Sequence, residues 1–293
     1  MRVLLLGGTG SIGSAILEDL IAHGHSVTAL ARSEKAATVL AENGATPLFG
    51  DMTSPEEWAP TLSGFDALIQ AAAAFDTDMG AIDKKLLDAI AENTAERKTP
   101  LRVLYTGGCW LYGETGERIS DETTPFDPLP SFAWMVENWQ WLCQADGIAP
   151  ILIHPAMVYD QHGGVLSRYI EAAWNGQPIE IWGTPDAIWP LVHRADLASA
   201  YRLAMEAAPA GQSYCVAAED GVSTGSLADA IAARSKSAIP HRILPLEEAI
   251  ERHGDWAAGP ALKQRMSGTK IRRELGWRPR FEDAVSTLRG ETL

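Results

Sequence analysis

The chain is poor in the residues that mark several large protein classes. It has three cysteines in 293 residues, Cys109, Cys143 and Cys215. Their odd number and wide spacing predict neither a disulfide framework nor a zinc cluster, and a reducing, cytoplasmic setting fits. No run of about 18 apolar residues occurs, so no membrane-spanning helix is predicted. The apolar run at Val3–Leu6 is too short for a signal peptide and indicates a buried strand.

Basic residues are also scarce. Lys and Arg number 24 against 38 Asp and Glu, which leaves a net charge of −14 and a pI near 4.9. Binding to nucleic acid or to an anionic membrane requires a basic face, so neither partner is expected, and a small-molecule substrate is predicted instead. The seven histidines show no metal-ligand spacing, and no metal site is predicted.

The first 155 residues alternate short apolar strands with helical patterns. The predicted strands are 3–6, 26–31, 46–49, 67–70, 102–106 and 150–154, and the predicted helices are 12–23, 33–43, 54–62, 79–96 and 132–146. Continuous apolar strands that alternate with helices are typical of a parallel sheet covered on both faces. The fold class expected is α/β, with a Rossmann-type doubly wound parallel sheet.

The pattern loosens after Pro155. Helices are predicted at 164–175, 194–207, 224–235, 245–253 and 267–275, with strands at 179–182 and 213–216, and the segment WGTPDAIWPLVHRAD is expected to be an ordered loop. We predict a dinucleotide-binding domain over 1–157, to which 190–217 returns. A smaller, interleaved C-terminal substrate lobe is predicted from 158–189 and 218–293.

A glycine-rich turn follows the first strand. The segment GGTGSIG spaces Gly7, Gly10 and Gly13 between a strand and a helix. Such glycines permit a tight turn, let the backbone approach a pyrophosphate and allow close helix packing. The helix N-terminus adds N–H donors and a positive dipole. We predict that a dinucleotide contacts Gly7, Thr9, Gly10, Ser11, Ile12 and Gly13.

The residues after the second strand favour NADP(H) over NAD(H). An NAD site usually carries an acidic residue there for the ribose hydroxyls. This chain has Arg32 instead, with Lys35 nearby and Glu34 only after the arginine. A guanidinium can bind a 2′-phosphate and stack on adenine. The alternative is a solvated arginine that starts a helix.

Two further segments are predicted to line the same cofactor. Asp51 and Met52 follow the third strand, where a carboxylate can accept from the adenine amine, although Asp51 could equally be a turn residue. The small residues Ala71, Ala72 and Ala73, with Ala74, follow the fourth strand and would let a cofactor lie against the backbone. Tight packing alone would also explain the alanines.

Five motifs together resemble the extended short-chain dehydrogenase/reductase family, which includes nucleotide-sugar epimerases and dehydratases. They are GGTGSIG, GDM, YTGGCWLYG, HPAMVYD and LVHRADLASAY, spread over residues 7–201. The resemblance implies a nicotinamide cofactor that also contacts Thr106, Gly107, Pro155, Met157 and Val158. It also implies a homodimer paired through the helices near 79–96 and 132–146.

The catalytic side chains of that family are missing here. The serine that holds the substrate carbonyl would fall at Gly108. The tyrosine and the lysine four residues later would fall at Phe132 and Val136, and the register from Trp134 reaches only Asn138. A group of atypical family members resembles this chain in TGGCWLYG and in an AW…E segment. In that group Trp134 and Glu137 replace the tyrosine motif.

Other groups must then supply any proton transfer. Tyr112 follows the loop without the serine and is the first candidate, Tyr159 is the second, and Trp134 is placed with them as a candidate catalytic residue. His154, His193, Asp196 and Glu137 are weaker candidates. Packing of the two tyrosines in the core is the alternative interpretation. Four tryptophans are expected to border the substrate cleft: Trp110, Trp134, Trp182 and Trp189.

These patterns lead to three functional hypotheses. The first is an NADP(H)-dependent oxidoreductase that acts on a small apolar or aromatic carbonyl or imine compound without the usual serine, tyrosine and lysine. The second is a catalytically silent NADP(H)-binding sensor or scaffold. The third is a nucleotide-sugar epimerase or dehydratase, which the missing tyrosine and lysine disfavour.

Overall fold

A computed structural model describes residues 1–73, 78–161, 163–235 and 239–290, so the predicted cofactor neighbour Ala74 lies outside the described residues. Within these ranges the strands are Arg2–Leu6 (β1), Ser26–Ala31 (β2), Thr46–Phe49 (β3), Ala67–Gln70 (β4), Leu101–Thr106 (β5), Ile148–Pro155 (β6), Met157–Tyr159 (β7), Ile179–Trp182 (β8), Ile188–His193 (β9), Gln212–Val216 (β10), Glu219–Ser223 (β11) and His241–Leu244 (β12).

The α-helices alternate with the early strands and dominate the later chain. They are Ser11–Ala22 (α1), Glu34–Glu42 (α2), Met79–Thr94 (α3), Ala133–Leu142 (α4), Ser167–Trp174 (α5), Arg194–Ala207 (α6), Thr224–Ala232 (α7), Leu246–His253 (α8), Thr269–Leu275 (α9) and Ala284–Arg289 (α10). Short 3-10 segments are Pro55–Glu57, Ala59–Gly64, Cys109–Tyr112, Pro130–Phe132 and Asp255–Ala261.

The large sheet has seven strands in the order β10-β6-β5-β4-β1-β2-β3. The pairs among β1 to β6 are parallel. Residues Val3–Leu6 of β1 and all of β4 are buried, as expected for strands covered on both faces. From β1 the chain first adds β2 and β3 on one side of the sheet, and it then adds β4, β5 and β6 on the other side. The order reverses between β1 and β4, and ligands of such sheets bind at this reversal, beyond the carboxyl ends of the strands.

The chain divides into two compact units. The first comprises 1–107, 134–153 and 197–213, and it holds β1 to β5, most of β6, helices α1 to α3 and most of α4 and α6. The second comprises 108–133, 154–196 and 214–293, so residues 108–133 fall in it although they precede the predicted boundary at 157. Its small sheets have the orders β11-β9-β7 and β12-β8.

Two local predictions were wrong. The helix expected at 54–62 is instead two 3-10 segments, because Pro60 lacks the N–H that an α-helix interior needs. The loop expected around Trp189 contains strand β9, which lies between β7 and β11. Pro190 masked this strand, since proline is rare in central strands. It is tolerated because the β11 register shifts opposite it, between Glu219 and Val222.

Two tryptophans expected at the substrate cleft lie in the core of the second unit. Trp182 and Trp189 are each 2% exposed. The Arg168 guanidinium carbon lies 3.6 Å from the Trp182 ring centroid, and His253 stacks on that ring at 4.5 Å. Trp189 donates its indole N–H to the Pro260 carbonyl at 2.8 Å. Neither ring can form a wall of a substrate cleft in this arrangement.

The residues that the structure describes contain neither a membrane-spanning helix nor a metal cluster. None of their helices is long and apolar enough to cross a membrane. No cluster of three or more His, Cys, Asp or Glu side chains in these ranges has the arrangement of a metal site.

Glu219 couples the stability of the second unit to pH. Its carboxylate accepts the N–H of Ala284, at the start of α10, at 2.7 Å. Burial raises the pKa of Glu219 to about 7, and the nearby carboxylates of Asp283, Asp220 and Glu282 act in the same direction. Folding therefore favours the protonated form. The stabilisation that protonated Glu219 contributes is complete below the pKa that this side chain has in the unfolded chain. It is lost as the pH rises through about 7.

We expect Glu219→Gln to remove this pH dependence. The amide oxygen can still accept from Ala284 but does not titrate, so the variant should gain stability relative to the wild type as the pH rises from about 5 to about 8. Thermal unfolding midpoints across that range measure the effect. Glu171→Gln, on the exposed side of α5, serves as the control. Parallel curves for wild type and Glu219→Gln would contradict the assignment.

Candidate functional site

The glycine turn after β1 has no room for larger residues at two positions. Gly7 has φ +83°, and a Cβ there would lie 2.5 Å from the carbonyl oxygen of Ala71. A Cβ on Gly13 would lie 2.1 Å from the carbonyl oxygen of Gly7. Gly10 differs, because it is exposed and its Cβ would approach only the Gly7 oxygen, at 3.3 Å. Gly7 and Gly13 therefore shape the turn, while Gly10 leaves its outer surface open.

The N-terminus of α1 presents its first N–H groups beside this turn. The helix begins at Ser11 with Gly10 as its N-cap, no side chain in the described ranges caps it, and no acidic residue stands in its first turn. The first amides of a helix lack internal partners and carry the positive end of the dipole. With the open surface at Gly10, this arrangement fits the pyrophosphate of a dinucleotide.

The segment after β4 lies against the same turn. The Ala71 N–H donates to the Leu6 carbonyl at 3.2 Å, which ties the ends of β1 and β4 together. The Ala72 N–H donates to Gln70 Oε1 at 3.0 Å. Ala71 and Ala72 are half-buried and Ala73 is exposed. Small side chains thus lie at the point where the strand order reverses, where a bound cofactor is expected.

Arg32 follows β2 as an exposed side chain. It makes no ion pair with any described residue, and its charge lies close enough to Asp51 to lower the pKa of that carboxyl. Helix α2 is capped by Ser33, whose hydroxyl accepts the Ala36 N–H at 3.2 Å. Arg32 is therefore not needed to start the helix, and its guanidinium is available to an anion.

Asp51 forms a local turn. Its Oδ1 accepts both the backbone N–H and the hydroxyl of Thr53, each at 2.8 Å. The backbone hydrogen bond is the main reason that the pKa of Asp51 lies below its ordinary value. The carboxylate thus stays charged, and only one of its oxygens is used by the turn. Its neighbour Met52 is buried.

A buried polar network supports the segment after β4. Asp83 of α3 is 1% exposed and accepts from Gln70 Nε2 at 3.1 Å, from the Tyr105 hydroxyl at 2.5 Å and from Asn138 Nδ2 at 2.8 Å. Burial raises the pKa of Asp83, and the three donors oppose that shift. Because Gln70 also holds the Ala72 N–H, the network reaches the backbone expected to line the cofactor.

Sequence reasoning missed Asp83, although a signal was present. It stands three, four and seven residues before Leu86, Leu87 and Ile90, all buried. A carboxylate on the apolar face of an amphipathic helix indicates a partnered buried charge.

The contacts of α4 show which face of this helix packs against α3. A Cβ on Gly80 of α3 would lie 3.1 Å from Cγ of Trp134, and Asn138 donates to Asp83 of the same helix. Trp134 and Asn138, four residues apart, therefore share the face toward α3. Val136 lies two residues away, about 200° around the helix. Trp134 is half-buried, and its predicted catalytic role remains a prediction.

Both candidate tyrosines are buried. Tyr112 is 4% exposed, its hydroxyl accepts from the Cys215 thiol at 3.4 Å, and its ring lies 5.1 Å from that of His154. Tyr159 is 1% exposed and packs edge-on against His193. Burial raises the pKa of both hydroxyls. Their proposed proton transfer stays a prediction, and each has the surroundings of a core residue.

The weaker candidates for proton transfer are either hydrogen-bonded or packed within the fold, or they are exposed to solvent. Asp196 accepts the backbone N–H groups of Arg280 and Phe281, each at 2.9 Å. His193 stacks on Phe281 at 3.8 Å. Glu137 is exposed. Full burial lowers the pKa of His154 to about 4, so its ring is neutral near pH 7.

The remaining predicted cofactor residues differ in accessibility. The Thr106 hydroxyl donates to the Gln70 carbonyl and pairs with the Tyr201 hydroxyl at 2.7 Å. Pro155 and Met157 are buried, and Val158 is half-buried. Thr9 and Ser11 are exposed, whereas Ile12 and Gly107 are half-buried. While the Thr106 hydroxyl keeps its hydrogen bonds to Gln70 and Tyr201, Thr106 can contact a ligand only through its backbone or its methyl group.

Comparisons with known proteins identify a matching family and distant relatives. The model of the NAD dependent epimerase/dehydratase family matches residues 3–217. Uncharacterized protein C2A9.02 of Schizosaccharomyces pombe is 27% identical over 293 residues, covering 98% of each chain.

Two solved structures share the fold along nearly the whole chain. The UDP-glucose 4-epimerase of Thermus thermophilus in complex with NAD superposes with a TM-score of 0.78 at 23% identity and covers 99% of each chain. The human epimerase family protein SDR39U1 (isoform 2) with NADPH has a TM-score of 0.78 at 20% identity, over 99% of this chain and 98% of that chain. With the family match over most of its length, the α/β chain described here belongs to the NAD dependent epimerase/dehydratase family.

Proposed function

We propose that this protein is an NADP(H)-dependent oxidoreductase that acts on a small apolar or aromatic carbonyl or imine compound. The observation that carries the proposal is the cofactor end of the first unit. There an uncapped helix N-terminus adjoins an open glycine turn, and an exposed arginine follows β2. When bound, the nicotinamide ring supplies or accepts the hydride.

The chain's own residues would bind and orient that cofactor. The first amides of α1 hold the pyrophosphate. Arg32 binds the 2′-phosphate, since its planar group suits bidentate contact with phosphate and no acidic residue directly follows β2 to favour a free ribose hydroxyl. Gln70, held by Asp83, fixes the Ala72 backbone alongside.

Replacing Arg32 tests the choice of cofactor. We expect Arg32→Ala to weaken NADPH binding by roughly 10- to 100-fold, because a charge-assisted contact is worth about 1.5–3 kcal/mol, and to leave NADH binding nearly unchanged. Quenching of tryptophan fluorescence during titration measures both affinities. Arg118→Ala, exposed in the other unit, is the matched control. Unchanged NADPH affinity in Arg32→Ala would remove the basis for NADP(H).

The proposed substrate class rests on the aromatic residues that remain accessible. Trp110 and Phe132 are half-buried in the second unit, with ring centroids 5.2 Å apart, and Trp256 is 39% exposed. Aromatic rings favour flat, apolar ligands over a sugar that carries a charged diphosphate. A screen of aromatic aldehydes, ketones and imines with NADPH, followed by the loss of reduced cofactor, tests turnover.

A second function is favoured by the burial of both tyrosines. With Tyr112 and Tyr159 in the core, and with no serine, tyrosine and lysine set, the protein could bind NADP(H) as a sensor or scaffold without turnover. A sensor should bind NADPH and NADP⁺ with clearly different affinities and should show no turnover in the screen. Turnover of about 1 per second or more would exclude it.

We also propose a cytoplasmic location and a homodimer for this protein, whichever of the two functions it has.

A further inference from the structure

Trp110 carries a buried hydrogen-bond donor without a partner. Among the residues that the structure describes, the buried side-chain polar atoms in this state are Nε1 of Trp110, both ring nitrogens of His154 and the hydroxyl of Tyr159. The Gly108 backbone lies near the His154 ring, and Thr287 lies near the Tyr159 hydroxyl, without full hydrogen-bond geometry. An unpaired buried donor costs about 1–3 kcal/mol and calls for an explanation.

Trp110 differs from the other two residues in accessibility. His154 is 0% and Tyr159 is 1% exposed, so their unpaired atoms lie deep in the second unit. The Trp110 side chain is only half-buried, although its nitrogen is covered. Part of the ring is therefore open to a ligand, whereas the N–H is covered by other atoms of the protein.

The 3-10 segment 255–261 packs against the Trp110 ring. A Cβ on Gly259 would lie 2.3 Å from Cε2 of Trp110, the carbon bonded to Nε1. The next nearest atoms are Cζ2 and Cδ2, so the backbone at Gly259 packs against the fused bond and the benzene ring of the indole, next to Nε1. The segment begins after Gly254, with φ +90°, and contributes Trp256, whose ring centroid lies 6.5 Å from that of Trp110. Binding to the N–H requires the atoms that cover Nε1 to move, and Trp256 provides exposed aromatic surface beside the ring.

The position in the chain connects this donor to the missing catalytic groups. Trp110 stands two residues after Gly108, where the serine that would hold a substrate carbonyl is absent. Its ring contacts Phe132, the residue at the best-aligned tyrosine position. An indole nitrogen is a donor only and does not titrate near neutral pH, so it can bind a carbonyl oxygen but cannot give up its proton.

We propose that the indole N–H of Trp110 is the hydrogen-bond donor to the carbonyl oxygen of an aromatic ketone or aldehyde, with Phe132 and Trp256 flanking the substrate ring. This inference deepens the proposed function and rests on it for the reaction. The bound oxygen satisfies the donor that the closed arrangement leaves unpaired. Water supplies the proton that the product hydroxyl requires, since the indole keeps its own.

The test observes the Trp110 N–H directly. Full-length protein containing tryptophan labelled at the indole nitrogen is studied by NMR, alone and with NADP⁺, and the Trp110 signal is identified by its loss in Trp110→Phe. Acetophenone and ethylbenzene serve as probes, because they match in ring and size and only acetophenone has an acceptor oxygen. We expect acetophenone to move the Trp110 N–H signal downfield beyond any change caused by ethylbenzene.

Affinity gives a second readout. Trp110→Phe should bind acetophenone roughly 3- to 10-fold more weakly, the effect of one neutral hydrogen bond, and should bind ethylbenzene unchanged. Trp174→Phe, 67% exposed in the same unit, is the control. The proposal is overturned if the two probes move the signal equally or not at all, or if acetophenone affinity falls in Tyr112→Phe and not in Trp110→Phe.

The two proposals can fail separately. Trp110→Phe should keep wild-type NADPH affinity, since Trp110 is not among the predicted cofactor residues and most of those residues belong to the first unit. If the wild type does not bind NADPH, the proposed function falls, while the acetophenone measurement on the cofactor-free chain still decides the role of Trp110.

Discussion

Replacing Gly13 with alanine should abolish dinucleotide binding and strongly destabilise the first unit. The new Cβ would lie 2.1 Å from the Gly7 carbonyl oxygen, and that oxygen belongs to backbone that also accepts the Gly10 N–H at 2.9 Å. Backbone cannot move aside as a flexible side chain can, so the turn must distort. We expect a loss of about 3 kcal/mol or more in the free energy of unfolding, measured by urea denaturation.

Gly7→Ala should behave similarly for two reasons. Its φ of +83° is costly for any residue with a Cβ, and that atom would lie 2.5 Å from the Ala71 carbonyl oxygen. Gly64→Ala is the matched control, since a Cβ there meets nothing within 4 Å and its backbone is not left-handed. If Gly13→Ala bound NADPH as tightly as Gly64→Ala, the glycine turn would not be the phosphate site.

Removing the Asp83 carboxylate should give the second large effect. Asp83→Ala leaves the donors of Gln70, Tyr105 and Asn138 without their common acceptor in the interior. Each unpaired buried donor costs about 1–3 kcal/mol, so we expect the free energy of unfolding to fall by about 3 kcal/mol or more. NADPH affinity should fall as well, because Gln70 no longer holds the Ala72 N–H in place.

The same helix offers a control for this experiment. Asp88 of α3 pairs with Lys84 near the surface, and an ion pair of this kind contributes at most about 1 kcal/mol. Asp88→Ala should therefore leave both stability and NADPH binding nearly unchanged. A double-mutant cycle between Asp83→Asn and Tyr105→Phe tests the network itself. Additive effects in that cycle, or a stable Asp83→Ala, would show that the hydrogen bonds do not act together.

The strands of the large sheet were predictable because their signal is local. Ser26–Ala31, Thr46–Phe49 and Ala67–Gln70 were predicted with the bounds observed. A short apolar run between turn residues has few alternatives when helices alternate with it. Strand β9 was missed because its Pro190 is tolerated only by a register shift in β11, a partner that lies far along the chain. Such compensation is not visible in a window of sequence.

The proton-transfer candidates also depend on neighbours that a window of sequence does not show. The sequence shows that Tyr112 and Tyr159 are present and that the usual tyrosine is absent, but burial depends on every element packed around a side chain. Both hydroxyls lie in the core, where desolvation raises their pKa. Trp182 and Trp189 were expected at a cleft because of the segments in which they fall, and the fold buries them. Residue type indicates what a group can do, and packing determines whether it can be reached.

The sequence by itself determined the α/β fold, the glycine turn, the absence of the serine, tyrosine and lysine set, and the arginine after β2. Each of these depends on residue identity and on local spacing along the chain. Only the tertiary structure decided that Asp83 gathers three donors, that Trp134 and Asn138 face α3, and that the Trp110 N–H is buried with no partner among the described residues. The reason is physical: hydrogen-bond satisfaction and burial are properties of neighbours in space, and the chain brings those neighbours together from distant positions.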